Sequence, residues 1–301
     1  MSFDNITGNN KVKDFLNKSL KENHVSHSYL FVGIDGIGKT LFAQEFARKL
    51  LCIDQEESEN CLSCIKMKSG NHPDFEKIEP EEGIIKIDTI RQLQEKIVQK
   101  PITSKRKVYL IKDSEYMKAE AQNCLLKTLE EPPEYAIIIL TTANESKLLP
   151  TIRSRCLKVS FDAIPEETII KYINENNSSE IDNNLISMSE GSIGKAILLQ
   201  EKKDIYESVT NILDEIQNED MNTLWKKAEL LYKQKDNIQD ILSYINVYLY
   251  KTKNLNKINC IKYVEDTKKR LASNSNYDMS IDYLLIKLWE GINEKYSRSS
   301  I

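Results

Sequence analysis

An α/β fold with a parallel sheet and helices on both faces, continuing into an all-helical remainder, is the class this 301-residue sequence predicts. Three observations carry that reading. Short apolar runs alternate with helical periods as far as Phe161, and strand-like runs then stop. An unbroken phosphate-loop pattern, Gly33-Ile34-Asp35-Gly36-Ile37-Gly38-Lys39-Thr40, stands at the end of the first apolar run.

In chain order, Tyr29 to Val32 reads as a buried strand entering the loop, and Leu41 to Ala47 leaves it with helical spacing. Further strands are expected at Phe75 to Ile78, Val108 to Ile111, Ala136 to Leu140 and Leu157 to Phe161. Between them, helices are expected over Thr89 to Val98, with Asp88 as N-cap, and over Ala119 to Leu129, stopped by Glu131-Pro132-Pro133. Beyond Phe161 come helices from Glu166 to Asn174 and around Ile181 to Met188, then the run Gly191 to Leu199. From Asp204 onward the pattern is helical throughout. Ile205, Val209, Ile212, Leu213 and Ile216 form one stripe, and Leu224, Trp225, Ala228, Leu231 and Tyr232 another. Ile241 to Tyr250 is apolar on nearly every side and must be surrounded, by its own bundle or by a neighbouring subunit.

The loop has a definite chemistry. Gly33, Gly36 and Gly38 let backbone N–H groups turn toward phosphates, Lys39 reaches the terminal phosphates, and the Thr40 hydroxyl is a Mg²⁺ ligand. ATP or ADP is the expected occupant.

Composition narrows the class. With 40% hydrophobic and 29% charged residues the chain can bury a sizeable core, and a net charge of −4 argues against general coating of nucleic acid. The polar start Met1-Ser2-Phe3-Asp4-Asn5 and the lack of an 18-residue apolar run predict a cytoplasmic protein with no membrane partner. Six scattered cysteines fit reduced thiols or a metal site better than disulfides.

Several further motifs carry a resemblance. His27-Ser28-Tyr29-Leu30-Phe31, Gly70-Asn71-His72-Pro73-Asp74, Cys124 to Pro133 and Leu148 to Cys156 (ending Arg153-Ser154-Arg155-Cys156) resemble the clamp-loader branch of the AAA+ ATPases. In detail they are similar to the delta-prime family of bacterial DNA polymerase III subunits. The resemblance implies a AAA+ nucleotide-binding domain over 1–161 with a cysteine-containing insert at 52–74. It further implies a three-helix lid over 162–203 and a helical collar over 204–301. Its implied partners are the other subunits of a hetero-pentameric ring and, through the complex, the sliding clamp and primed DNA.

The second nucleotide motif departs from that family. Lys107-Val108-Tyr109-Leu110-Ile111 leads into Lys112 and Asp113, where the family carries two acidic residues, one ordering Mg²⁺ and one polarising water. An ammonium at Lys112 supplies no oxygen ligand and repels the cation, so Mg²⁺ binding is doubtful. A milder reading lets Asp113 or Glu115 take over the metal.

For Arg155 the resemblance implies a finger that reaches the γ-phosphate held by a neighbour, which suits a planar, permanently charged guanidinium. A solvated turn is the plain alternative. Thr142 and Asn144 fall where the family's first polar sensor is expected, although a strand-end cap explains them equally well. Gly194 stands where active members carry a second sensing arginine.

The family's insert holds zinc on four cysteines. Here Cys52, Cys61 and Cys64 remain and Ser58 takes the fourth place, so Zn²⁺ would need water or His72 to complete its shell. Cys124, Cys156 and Cys260 lie in apolar stretches and read as core thiols.

Two functions compete. One is a ring component of the polymerase III holoenzyme whose own ATPase is absent or weak and which lends Arg155 to its neighbour. The other is an active motor ATPase of the gamma/tau type. Lys112, the missing second sensor and the lack of a long tail after the helical region favour the first.

Overall fold

The computed structural model describes residues 3–54, 61–176, 182–216 and 221–293. Among these are α1 (Asn10–Lys21), β1 (Ser28–Val32), α2 (Lys39–Leu51), α3 (Leu62–Lys68), β2 (Phe75–Ile78) and α4 (Ile87–Ile97). They are followed by β3 (Lys107–Ile111), α5 (Ala119–Glu130), β4 (Ala136–Thr142), α6 (Pro150–Arg153) and β5 (Leu157–Ser160). All five strands are parallel, in the order β2-β3-β4-β1-β5. A parallel sheet covered on both faces explains why β3 and β4 are apolar runs and why every residue in them is buried.

The described chain divides into two compact units. The first covers residues up to Tyr172 together with Gly191–Lys195, and the second covers the rest. In the first, Leu30, Tyr109, Ile111, Ile138 and Leu140 of the sheet pack against Ile90 and Leu93 of α4 and Ala121 and Leu125 of α5. A separate aromatic group supports the loop. Phe42 meets Phe3 at 5.8 Å and Phe161 at 5.2 Å between ring centroids, and Phe161 meets Phe31 at 5.4 Å. Those rings fix the start of α2 against the end of β1, which sets where the loop can lie.

The remaining helices are α7 (Glu166–Asn176), α8 (Asn183–Met188), α9 (Ile193–Glu201), α10 (Lys203–Glu215), α11 (Met221–Tyr232), α12 (Ile238–Lys251), α13 (Leu255–Asn259), α14 (Ile261–Ala272) and α15 (Tyr277–Ile292). In the second unit the apolar α12 is surrounded by its own bundle. Ile241, Leu242, Tyr244, Ile245 and Leu249 share one core with Val209, Leu213, Val264, Leu284 and Leu288. Each such side chain contributes about 1.5–3 kcal/mol on burial. Tyr250 alone of that run points outward, at 69% exposure.

Three local expectations need correcting. Asp88 does not cap α4, which begins two residues earlier than expected, at Ile87 with Lys86 at the N-cap, and the Asp88 carboxylate instead pairs with Arg91 at 2.9 Å. β4 runs two residues past Leu140, through Thr141 and Thr142, because both threonines are buried and paired with Phe31 and Val32 of β1. Helices α1 and α3 were not anticipated. Ser58, Ile181 and the side chains of Leu224 and Ala228 lie outside the described residues. Among the described residues no helix is long and apolar enough to cross a membrane.

Candidate functional site

The phosphate loop leaves the carboxyl end of β1 and hands over to α2 at Gly38, whose φ of 103° is a backbone conformation that a side chain would strain. Gly33 N–H donates to the Thr142 carbonyl at 3.2 Å and Phe161 N–H to the Val32 carbonyl at 2.8 Å, so the loop's root is held between β4 and β5. Lys39 is buried, with only 5% of its surface exposed. Its Nζ donates to the Gly33 carbonyl at 2.7 Å and the Ile34 carbonyl at 3.0 Å, and lies 3.6 Å from Asp35 Oδ1, so all three ammonium donors face the loop itself. Burial pulls the Lys39 ammonium below its ordinary value, an effect offset in part by Asp35, Asp113 and Glu115.

Beside it, the second motif is rearranged. Lys112 Nζ lies 3.2 Å from Glu79 Oε1 and 3.6 Å from Asp113 Oδ2. Burial pulls Lys112 down, but the hydrogen bond and charge of Glu79 and the charge of Asp113 outweigh it and hold the ammonium above its usual range. Asp113 takes a left-handed backbone, with φ of 49°, and its N–H donates to Thr141 Oγ1 at 3.0 Å. Its own carboxyl is pushed up by burial and by Glu115 and Asp35, against the pull of Lys112 and Lys39. Glu115 Oε1 accepts from Ala143 N–H at 2.8 Å, and its Oε2 is buried without a hydrogen-bond partner.

Of the first-sensor candidates, Asn144 is used locally, since its Oδ1 accepts from Ser146 N–H at 3.0 Å and Ser146 Oγ at 2.6 Å. Thr142 accepts from Asn144 N–H at 3.1 Å. The residue that joins β4 to the acidic motif is Thr141, one position before the residue singled out from sequence. Alternation along a strand decides which of two adjacent threonines faces a neighbour, and that needs the register.

In the segment Gly191–Lys195, Gly194 N–H donates to the Gly36 carbonyl at 3.0 Å and Ser192 Oγ to the Asp35 carbonyl at 2.7 Å. A Cβ at Gly194 would stand 2.8 Å from Gly36 Cα, so this contact admits no side chain at the position where an arginine was sought.

Arg155 lies elsewhere. It precedes β5, and Ser28 Oγ at the start of β1 donates to the Arg155 carbonyl at 2.6 Å. β1 and β5 run parallel, and the loop follows the far end of β1. Five residues of strand therefore separate Arg155 from its own phosphate loop, a distance of about 15 Å. The guanidinium pairs through Nη2 with Glu130 Oε1 at 2.6 Å and donates through Nη1 to the Thr151 carbonyl at 3.0 Å. Its side chain remains 35% exposed. His27, whose Nδ1 is 3.2 Å from the Ala136 carbonyl, lies on the same edge. The runs around His27, Glu130 and Arg155, distant in sequence, thus meet at the amino ends of the strands.

Cys52, Cys61 and Cys64 come together at the junction of α2 and α3, with their sulfurs all within 4.8 Å of one another. Cys61 caps α3 by accepting from Cys64 N–H. Burial raises the Cys61 thiol, but N–H groups of Cys64 and Ile53 and the two neighbouring thiols outweigh it and bring it to about 7, while burial drives Cys52 up to about 12. Arg48, paired with buried Glu45, donates to Cys64 Sγ at 3.3 Å. His72 does not join them. Its Nδ1 accepts from Asp74 N–H at 3.0 Å, which fixes the proton on Nε2, 2.8 Å from Ser63 Oγ. The Gly70 to Asp74 run is a structural clasp: buried Asp74 accepts N–H bonds from Ile102, Thr103 and Ser104 at 2.6 to 2.8 Å.

A parallel sheet in this order, with a phosphate loop at the carboxyl end of its first strand and helical segments beyond, defines the AAA+ class of P-loop proteins. A family model described as "DNA polymerase III, delta subunit" matches residues 8–165, just over half the chain, and the chain belongs to that family. The chain is 28% identical to DNA polymerase III subunit delta' of Bacillus subtilis, over 93% of its own length and 96% of the relative's. It is 31% identical to DNA polymerase III subunit gamma of Buchnera aphidicola subsp. Baizongia pistaciae, over 88% of this chain and 70% of that one. Among solved structures, a DNA polymerase III gamma subunit-related protein of Thermotoga maritima superposes with a TM-score of 0.54 at 19% identity, covering 91% of this chain and 98% of the other. At that identity the superposition speaks for the fold. The homologues support a role in the clamp-loader family.

Proposed function

We propose that this chain is a delta-prime-like subunit of the polymerase III clamp loader, working in the cytoplasm as one member of a hetero-pentameric ring that loads the sliding clamp on primed DNA. It binds ATP or ADP statically and lends Arg155 to a neighbour's nucleotide. The observation that carries this is the position of Arg155. It lies at the opposite end of the strands from its own loop and is partly exposed, so a phosphate it contacted would belong to another subunit. The helices from Lys203 onward would form the collar that holds the ring together.

The alternative, a motor ATPase of the gamma/tau type, asks for a metal site beside Lys39. Against it stand Lys112, which supplies no oxygen ligand, and its ion pair with Asp113, which engages the adjacent carboxylate. Purified chain alone should show negligible ATP turnover. Lys112→Asp should tighten ATP binding at least about tenfold in Mg²⁺ relative to EDTA, about 1.4 kcal/mol, by titration calorimetry. Equal affinities in the two buffers would remove the account of Lys112, and rapid turnover by the unmodified chain would remove the static role.

Three thiolates of Cys52, Cys61 and Cys64 match three corners of a zinc tetrahedron, and a bound Zn²⁺ would tie the end of α2 to α3. Atomic absorption of protein purified without chelator should find about one zinc per chain and near none in Cys64→Ser, as expected for a site with no spare thiolate. Equal metal in both would sink the assignment.

A further inference from the structure

We infer that Glu130 is a positioning residue for Arg155, holding its guanidinium in the one orientation in which the remaining donors face outward to a neighbour's phosphate. This rests on the proposed role of Arg155 and extends it to a residue that the resemblance left without one. Every element of the arrangement is stiff. Glu130 is the last residue of α5, followed by Glu131 outside the helix and then Pro132-Pro133, which cannot continue it. Arg155 sits on a turn wound against α6, with Ser154 N–H on the Pro150 carbonyl at 2.9 Å and Arg155 N–H on the Ile152 carbonyl at 3.1 Å. Its own carbonyl is pinned by Ser28 Oγ. The backbone of the arginine is thereby fixed, and only its long side chain is left to order.

Two contacts do that. Glu130 Oε1 takes Nη2 at 2.6 Å and the Thr151 carbonyl takes Nη1 at 3.0 Å, which accounts for two of five guanidinium donors and sets the plane of the group. Glu130 is 48% exposed and Arg155 35%, so water screens the pair and its share of fold stability is small. What the pair does supply is restraint on a side chain with many rotamers. A misplacement of a catalytic group by about 1 Å costs up to about a hundredfold in rate, so restraint acts on turnover.

The test uses the complete clamp loader, assembled from this chain and its partner subunits, with clamp and primed DNA present, and reads kcat and KM for ATP. Glu130→Gln should lower kcat at the site served by Arg155 about tenfold while KM stays within about twofold, because the finger acts on the transition state. In an Arg155→Ala background the same substitution should change nothing further. A carboxylate that merely neutralised the finger would give the opposite sign, since its removal would raise kcat. A raised or unchanged kcat in Glu130→Gln, or an equal fall in the background without Arg155, overturns the inference. If Arg155→Ala itself leaves kcat unaltered, the finger reading fails instead, and the two failures are distinct. Should Glu130→Gln not assemble, Glu130→Asp carries the test: a kcat loss of about threefold with constant KM supports restraint by the carboxylate, and an unchanged kcat overturns it.

Discussion

Arg155→Ala should lower ATP turnover at the neighbouring site proposed for it by roughly a thousandfold, the scale known for arginine fingers, while the subunit folds and assembles as before. Folding should be spared because the side chain is partly exposed and leaves behind two solvent-accessible partners, the Thr151 carbonyl and Glu130, the latter in a pair worth at most about 1 kcal/mol. Arg155→Lys should restore little. Lysine offers a point charge, and a developing phosphate charge is gripped by the planar fork of a guanidinium. Presteady-state turnover of the assembled complex, with the melting temperature of the isolated chain as control, checks both halves. Full turnover in the alanine variant would mean that no phosphate reaches this edge.

The second large effect is on stability. Asp74→Ala should cost about 3 kcal/mol in urea unfolding of the first unit, because three backbone N–H groups that now donate to one buried carboxylate lose their acceptor. The same contact predicts an acid limb. Burial pushes the Asp74 carboxyl up, but the N–H groups of Ile102, Ser104 and Thr103 outweigh it and hold the group below its ordinary value of 3.8. A depressed folded value means that the unfolded chain binds the proton first. The stabilisation is therefore present in full above the unfolded value and is lost as the pH falls through the folded one. Asp74→Asn should accordingly narrow the stability gap to the unmodified protein between about pH 5 and about pH 3, whereas a constant gap would place the acid sensitivity in another carboxylate.

Much of the first unit was legible because its signals are local. The inner strands β1, β3 and β4 stood out as apolar runs, since a parallel strand covered on both faces needs apolar residues at nearly every position. Lys39, Thr40 and the glycines were legible for a similar reason, as eight consecutive residues specify the loop's backbone. Asp88 misled because an acid near a helix start is as well placed for a first-turn ion pair as for a cap, and Arg91 three residues on decided between them. His72 offered a ligand by residue type alone. Only the fold showed both ring nitrogens engaged, one by Asp74 and one by Ser63. Thr141, whose hydroxyl accepts from Asp113 N–H, was not singled out because the strand's end lay two residues later than its apolar run suggested.

What the sequence by itself determined is the phosphate-loop pattern, the presence of a lysine at position 112 after the third strand and the set of strands, all of them properties of short contiguous stretches. What only the tertiary structure decided is which residues share an end of the sheet: Glu130 with Arg155 and Ser28 at the amino ends, Lys39 with Asp113 and Glu115 at the carboxyl ends. Strand order is the physical reason. Hydrogen-bonded pairing places β1 between β4 and β5, more than a hundred residues away in the chain, and no local propensity encodes that choice.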